Sequence, residues 1–198
     1  MRLTDLTRLA AGALLAAALA TPAHGQMADT PIINGGEGAT FVLGAGPAFP
    51  VGDLRDFGKN GFAGLLAVGF APAILPVGLR VEGMYQEFGI KGGDANISTL
   101  GAGANVVLRV PQSAPGSGFF VRPFITGGVG YARTRIGLGS ATAPDVGRGN
   151  GVTWNVGGGI ALPIPIINVG IEARYVEVRA DGGSLGSVPV FLTLNFHR

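Results

Sequence analysis

This chain of 198 residues contains no cysteine, so a thiol cannot act as its nucleophile. The side chains to consider for catalysis are its serines, its acidic residues and its two histidines. Hydrolysis or acyl transfer at a serine needs a positioned base, most often an imidazole. We expect His24 to be removed with a leader segment, and His197 is the penultimate residue. The serines are therefore left without an evident base, among them Ser98, Ser140, Ser184 and Ser187. We predict that the chain is not an enzyme.

Carboxylates are the next group that could bind a ligand, and Asp53 and Asp56 are close enough in sequence to share a Ca²⁺ ion. Arg55 and Lys59 lie beside them, and this mixture is more typical of a solvated loop. The glycine-rich stretches at 101–103 and 157–159 resemble a nucleotide-binding fingerprint only superficially, because no helical pattern follows either one. The lack of cysteine also excludes thiolate metal sites. We expect neither a metal nor a cofactor.

Five charged residues differ from the others because each interrupts a run of apolar or small residues. They are Arg80, Glu82, Arg122, Glu172 and Arg174. The segments PVGLRVEGMY (76–85) and NVGIEARY (168–175) resemble each other, but the first reads Arg-x-Glu and the second Glu-x-Arg. Residues two apart in a strand share a face, and a buried charge is tolerated only when it is paired. We predict ion pairs that close the interior of the fold; the alternative is a narrow, gated ion path.

The elements that would hold these charges are extended segments in which two kinds of residue alternate. Residues 119–135 (FFVRPFITGGVGYARTR) are the clearest example. One face carries Phe119, Val121, Ile125, Val129 and Tyr131, and the other carries Arg122, Thr126, Gly128 and Gly130. A strand that is apolar on one side and longer than those of ordinary globular sheets suits a barrel wall with lipid outside and a filled lumen inside.

Eight such segments can be counted between residues 39 and 196. They cover residues 39–49, 61–71, 77–88, 97–110, 119–135, 151–162, 169–179 and 188–196. The stretches between them alternate between polar, glycine-rich loops and proline-marked turns, as expected if the loops face the cell exterior and the turns face the periplasm. We therefore predict an all-β fold, a single eight-stranded, antiparallel, up-and-down transmembrane β-barrel over residues 39–198.

Composition agrees with a strand-built membrane protein. The chain has 36 glycines, 13% charged residues and a mean hydropathy of +0.42. Beyond its N-terminus it lacks an apolar run of the roughly 20 residues that a transmembrane helix needs. The net charge of +2 is too small to indicate nucleic-acid binding. The alternative is a soluble β-barrel or sandwich, but large apolar residues facing outward on every strand would promote aggregation in water.

Aromatic residues support placement in a membrane. Tyr85, Tyr131 and Tyr175 each lie on the predicted outward face near the outer end of a strand, and a charged residue follows two positions later. This order is typical of an interfacial girdle, with amphipathic rings at the level of the lipid headgroups. Phe49 and Trp154 complete the predicted girdle. The candidates for a periplasmic belt are Phe41, Phe70, Phe119 and Phe196.

Residues 1–25 are predicted to be a cleavable secretory signal peptide. Arg2 and Arg8 form its positive region, residues 9–20 its apolar core, and Ala23 with Gly25 supply small residues for cleavage. An uncleaved anchor is the alternative, but the apolar core is shorter than a membrane span. Residues 26–38 have no periodicity, and we expect them to be a periplasmic lead-in. The protein would thus cross the inner membrane and reside in the outer membrane of a Gram-negative envelope.

The runs VRPFITGGVGYAR (121–133) and PVGLRVEGMYQEF (76–88), with the alternating strand that ends at Phe196, resemble the small eight-stranded outer-membrane β-barrels of the OmpA-type and opacity-type family. The resemblance covers about residues 39–198 and implies an integral outer-membrane barrel, although family members differ widely in function. Such families usually end on an aromatic residue that the barrel-assembly machinery reads, here Phe196, which His197 and Arg198 follow. The implied partners are this machinery and outer-membrane lipid, including lipopolysaccharide.

The expected role is structural or interactive, with extracellular loops that contact surface partners which the sequence does not identify. The alternative is a porin-like role as a carrier or narrow channel for small apolar molecules or ions. Inward-facing Phe120, Phe124 and Phe191 would line such a carrier. A lumen wide enough for a ligand would favour the carrier, whereas a filled and ion-paired lumen would favour the structural role.

Overall fold

The computed structural model describes residues 39–70, 77–110, 121–137, 147–164, 167–180 and 183–197. The predicted signal peptide and lead-in, as well as Phe119 and Phe120, lie outside the described residues. Within these ranges, no helix has the length and apolar character needed to cross a membrane. The described residues form one closed sheet and one short helix.

Eight antiparallel strands make up the sheet, and each pairs with its neighbours in chain order. The elements are β1 (Ala39–Val51), α1 (Asp53–Phe57), β2 (Gly58–Phe70), β3 (Val77–Ile90), β4 (Asn96–Arg109), β5 (Arg122–Gly137), β6 (Gly147–Pro163), β7 (Asn168–Ala180) and β8 (Gly183–His197). β1 also pairs with β8, with Leu43 opposite Leu194, and this pairing closes the barrel. The predicted eight-stranded, up-and-down antiparallel barrel is confirmed. We call the end with the β1–β2 connection the outer end and the end with the β2–β3 connection the inner end.

Side chains alternate between the outer wall and the lumen in the phase that the sequence predicts. On β3, Leu79 and Val81 are 61% and 66% exposed, whereas Arg80 and Glu82 are each 6% exposed. On β8, Leu192 is exposed and the adjacent Phe191 is fully buried. The barrel is therefore apolar outside and partly polar inside, the reverse of a water-soluble protein and the arrangement that suits lipid.

Several strands extend further toward the outer end than the alternation predicts. β5 and β6 continue until Ile136 lies opposite Gly147, so they occupy part of the predicted loop at residues 136–150. β8 begins at Gly183 instead of at residue 188. In the β6 extension, Arg148 is exposed and charged. The alternation of apolar residues thus stops while the hydrogen-bonded ladder continues, so the alternation places the outer end of β6 too early.

The stretch at residues 52–60 was predicted to be a charged loop, and that prediction was wrong. It contains helix α1 and the first residues of β2. Gly52, with φ of +59°, adopts a backbone conformation that favours glycine and turns the chain from β1 into the helix. Leu54 of α1 is only 1% exposed and packs inside the barrel. The stretch has only two large apolar residues, Leu54 and the exposed Phe57, and they do not alternate with polar ones, so alternation could not reveal the burial of Leu54.

Candidate functional site: the barrel lumen

Four of the five predicted lumen charges meet inside the barrel, and we call Arg80, Glu82, Glu172 and Arg174 the lumen cluster. Arg80 donates to Glu172 twice, from Nη2 to Oε1 at 2.9 Å and from Nη1 to Oε2 at 3.1 Å. Arg174 donates from Nη1 to Glu82 Oε1 and from Nε to Glu172 Oε1, both at 2.5 Å. Arg80 Nε and Glu82 Oε2 form an ion pair at 3.2 Å without hydrogen-bond geometry. All four are nearly fully buried, so their charges are compensated within the protein.

The reversed order of the charges on β3 and β7 explains this pairing. The two strands are four places apart in a ring of eight antiparallel strands, so they run in the same direction on opposite walls. If both strands read Arg-x-Glu, like charges would face each other at each level of the lumen. Because β3 reads Arg-x-Glu and β7 reads Glu-x-Arg, opposite charges meet at both levels. The cluster as a whole is neutral.

Small residues on neighbouring strands provide the space that the lumen cluster occupies. Gly69 and Asn105 lie opposite Arg80 in the two adjoining ladders, and Gly157 lies opposite Arg174. A Cβ added at Gly157 would come within 2.6 Å of Arg174 Cα and 2.8 Å of its Cγ. That approach is too close for any other residue, so Gly157 allows the long side chain of Arg174 to lie across the narrow lumen of an eight-stranded barrel.

Two further lumen residues contact the cluster. Thr126 Oγ1 accepts a hydrogen bond from Arg80 Nη2 at 3.3 Å. The ring centroid of Phe191 lies 5.7 Å from the guanidinium carbon of Arg174, a distance typical of a cation–π interaction. Phe191 was considered as the lining of a carrier, but here it packs against the cluster. Neither contact follows from alternation, because each depends on which residues the folded barrel brings to the same level.

Apolar side chains fill the lumen at the outer end. Leu54 of α1 packs in a buried cluster that includes Phe88 of β3 and Ile97 of β4. Lys91, after β3, holds the helix in place, because its Nζ donates to the carbonyl oxygen of Arg55 at 2.6 Å. Buried Gln86 and Ser187, which are hydrogen-bonded to each other at 2.7 Å, line the same space as Leu54. Among the described residues, α1 therefore acts as a plug at the outer end of the lumen.

A small cavity lies on the inner side of the lumen cluster. Arg80, Glu172, Val107 and Phe124 are among its lining residues, and its volume is about 30 Å³. This space can hold a water molecule but is far below the roughly 300–1,000 Å³ of a typical ligand pocket. The ring of Phe124 fills space left by Gly159, since a Cβ there would lie 2.7 Å from Phe124 Cζ. Phe124 therefore fills the lumen, as Phe191 does.

Arg122, the fifth predicted lumen charge, is not part of the cluster. It is half-buried at the first position of β5, two residues before Phe124 and therefore in the same inward phase. Arg109 is half-buried near the same end of the barrel, opposite Phe124 in the β4–β5 ladder. Both arginines have interactions of their own. Alternation gives Arg122 the same phase as Phe124 but could not show that it lies nearer the inner mouth than the cluster.

The residues of the predicted girdle lie on the outer wall, toward the outer end. Tyr131 is 59% exposed and Phe49 is 39% exposed, while Tyr85, Trp154 and Tyr175 are half-buried by their neighbours. The rings of Trp154 and Tyr175 on adjacent strands are 5.3 Å apart. The girdle's position is thus an observation, and its role at a membrane interface stays a prediction.

Two tyrosines of this girdle bind the acidic residue that follows them on the same face. Tyr85 donates its hydroxyl hydrogen to Glu87 Oε2 at 2.5 Å, and Tyr175 donates to Glu177 Oε2 at 3.0 Å. Phe62 of β2, which is not in the predicted girdle, is exposed on the outer wall, and its ring lies 5.7 Å from the ring of Tyr85. Its pairing opposite Glu87 places it at girdle level, and only the strand register reveals this.

Phe196, the predicted assembly signal, lies at the inner end of β8. It is half-buried on the outer wall, directly opposite Phe41 of β1. Phe70 of β2 is 62% exposed at the same end, opposite Ala39. These rings occupy the positions expected of a periplasmic belt, and recognition of Phe196 by the assembly machinery stays a prediction.

The barrel is similar in architecture to several solved structures. No protein-family model matches the sequence, and a search of curated proteins finds no match. Among solved structures, Neisserial surface protein A (NspA) is similar, with a TM-score of 0.62 and 14% identity over 81% of this chain and 97% of that one. A major outer membrane protein from Thermus thermophilus has a TM-score of 0.51 and 16% identity over 81% and 98% of the two chains. The chain therefore has the fold of the small eight-stranded outer-membrane β-barrels.

Proposed function

We propose that this protein is an integral outer-membrane β-barrel with a structural or surface-interaction role, in which the connections at its outer end meet partners outside the cell. The apolar outer wall supports the membrane location, since side chains such as Leu79, Val81 and Leu192 are more than half exposed. Those side chains would be unfavourable in water and favourable in lipid. The barrel would hold its outer connections at a fixed place on the membrane surface.

The single observation that carries the structural role is the filled lumen. The lumen cluster crosses the barrel between β3 and β7, Leu54 closes the outer end, and the cavity between the cluster and the inner end measures about 30 Å³. A path for solutes would need this packing to open. A neutral, hydrogen-bonded cluster holds two opposite walls together, which favours a rigid scaffold.

A carrier or narrow channel is the second candidate, and the polar inner half of the lumen favours it. Arg109 and Arg122 lie near the inner mouth, and the small cavity leads to Arg80 and Glu172. Ions or water could enter this half from the periplasm. Passage to the exterior would then require α1 to withdraw Leu54 from the outer end.

The test is reconstitution of the secreted form into phosphatidylcholine bilayers, followed by measurement of insertion, conductance and binding of a fluorescent naphthylamine as an apolar probe. We expect insertion, no steady conductance and no binding of the probe. Leu54→Ala is the matched variant, because it shortens the plug without touching the lumen cluster. Conductance or probe binding by the unmodified barrel would favour the channel or carrier, and failure to insert would contradict the membrane location.

A further inference from the structure

Polar side chains on the lumen wall formed by β4, β5 and β6 are buried without a partner in the described part of the chain. Asn105 of β4 is 2% exposed, and Thr153 and Asn155 of β6 are each 7% exposed. Both polar atoms of the Asn105 side chain, Asn155 Oδ1 and the Thr153 hydroxyl oxygen form no hydrogen bond with any described residue. Buried polar atoms in folded proteins almost always have a hydrogen-bond partner. Several such atoms on one wall therefore indicate a small polar ligand.

The ladders place these side chains around positions that carry no side chain. Gly128 of β5 lies directly between Asn105 and Asn155. The amide of Asn105 lies over it, because a Cβ added at Gly128 would be only 2.3 Å from Asn105 Oδ1. The next inward row toward the outer end consists of Glu82, Gly103, Gly130 and Thr153. The two glycines of that row leave a trough in the wall between the carboxylate and the hydroxyl.

The lumen cluster borders this trough with atoms that can form further hydrogen bonds. Arg174 Nη1 is bonded to Glu82, and Nη2 of the same guanidinium has no hydrogen-bond partner among the described residues. Arg80 lies opposite Asn105 and lines the small cavity on the inner side of the cluster. The atoms that lack a partner thus continue from that cavity, past the cluster, toward the outer end.

We infer that the β4–β6 wall binds a short file of water molecules that passes the lumen cluster. Donors and acceptors are both present, since Asn105 Nδ2 and Arg174 Nη2 donate whereas Asn105 Oδ1 and Asn155 Oδ1 accept. A cation could not accept from the donors, and an anion could not donate to the acceptors. The neutral cluster attracts neither ion, whereas buried water typically forms about three hydrogen bonds to such groups.

The file would begin at the inner cavity, whose volume of about 30 Å³ suffices for a water molecule. Thr153 would lie at its far end, one step of two residues, or about 7 Å, beyond Asn155. Water would therefore reach past the ion pairs from the inner end, while α1 remains as the plug above it. This assigns a ligand to the closed lumen and goes beyond the proposed structural role.

The test uses two substitutions that keep the shape of the side chain, Thr153→Val and Asn155→Leu. If water is bound, each leaves water and cluster atoms without a partner and destabilises the barrel. If the site is dry, each removes an unpaired polar atom and stabilises it. The direction in which the urea midpoint moves therefore separates the two cases. Asn150→Leu is the matched control, because Asn150 is exposed on the same strand in the opposite phase.

We expect Thr153→Val and Asn155→Leu each to lower the urea midpoint of the secreted form in detergent by about 0.5–1 M. Asn150→Leu should change it by no more than about 0.2 M. Nitrogen-filtered ROESY NMR in the same detergent detects water beside amide protons. We expect cross-peaks between water and the side-chain amides of Asn105 and Asn155, and none for the backbone amide of Leu192 in the outer wall.

Higher midpoints for Thr153→Val and Asn155→Leu would show that the site is dry and would overturn the inference. Missing water cross-peaks at both asparagines would overturn it as well, because any lower midpoint would then arise from packing. If the midpoint of the unmodified barrel falls when choline replaces sodium at equal ionic strength, the oxygens bind a cation and the inference is wrong. All these measurements are made in detergent, so their outcome is independent of the bilayer experiments that test the proposed function.

Discussion

Removing one member of the lumen cluster should destabilise the barrel strongly. Glu172 is 1% exposed and accepts hydrogen bonds from both Arg80 and Arg174. Glu172→Gln leaves two buried guanidinium groups with Glu82 as the remaining carboxylate of the cluster, a net charge of +1. A buried charge that loses its partner costs about 3–5 kcal/mol. We expect a loss of that size in the free energy of unfolding, and a similar loss for Arg80→Met, which leaves a net charge of −1.

The double variant Arg80→Met/Glu172→Gln should recover part of this loss. It leaves Glu82 and Arg174, which are hydrogen-bonded at 2.5 Å and together neutral. We expect its loss to be smaller than the sum of the single losses by at least about 1–2 kcal/mol. The variant Glu172→Gln/Arg174→Met leaves Arg80 and Glu82, whose 3.2 Å ion pair lacks hydrogen-bond geometry, so it should recover less.

The assay is urea unfolding in detergent or lipid, followed by the fluorescence of Trp154. Arg179→Met is the control, because Arg179 pairs with Glu177 at the surface with its own side chain 67% exposed, and such a pair contributes less than about 1 kcal/mol. Additive losses in Arg80→Met/Glu172→Gln would refute the reasoning, since they would show that the two charges do not interact. A rise in conductance without loss of stability would favour the gated path over the closed lumen.

Three other predictions test the outer wall, the terminal strand and the plug. Leu79→Arg and Ile125→Arg, at exposed positions, should each oppose membrane insertion by about 2–4 kcal/mol near the midplane, whereas Thr126→Ser in the lumen should be mild; equal tolerance would contradict the membrane location. Phe196→Ala should lower the yield of heat-modifiable barrel more than deletion of the two residues after it, and the opposite ranking would count against the assembly signal. Leu54→Ala should cost about 2–5 kcal/mol in urea unfolding, and a loss below about 1 kcal/mol would show that α1 is not a packed plug.

Alternation in the sequence predicts which face of a strand a residue occupies. Lipid and lumen select opposite chemistry, and strand geometry repeats every two residues, so apolar Leu79 and charged Arg80 could be placed on opposite faces from local sequence alone. The same reasoning identified the eight-stranded barrel, because eight alternating segments are separated in turn by polar loops and proline-marked turns. It also selected five inward-facing charges that include the four residues of the lumen cluster, since a charge in an inward phase must find a partner.

The level of a residue along the barrel axis follows only from the folded barrel. Alternation is identical at every level, so it could not separate Arg122 from the lumen cluster or place Phe62 in the girdle; the register of the ladders does both. Alternation also gives no signal where strands leave the apolar zone, and so β6 and β8 were predicted too short. The burial of Leu54 arises from closure of the barrel, because only a complete ring creates the outer mouth that this side chain fills.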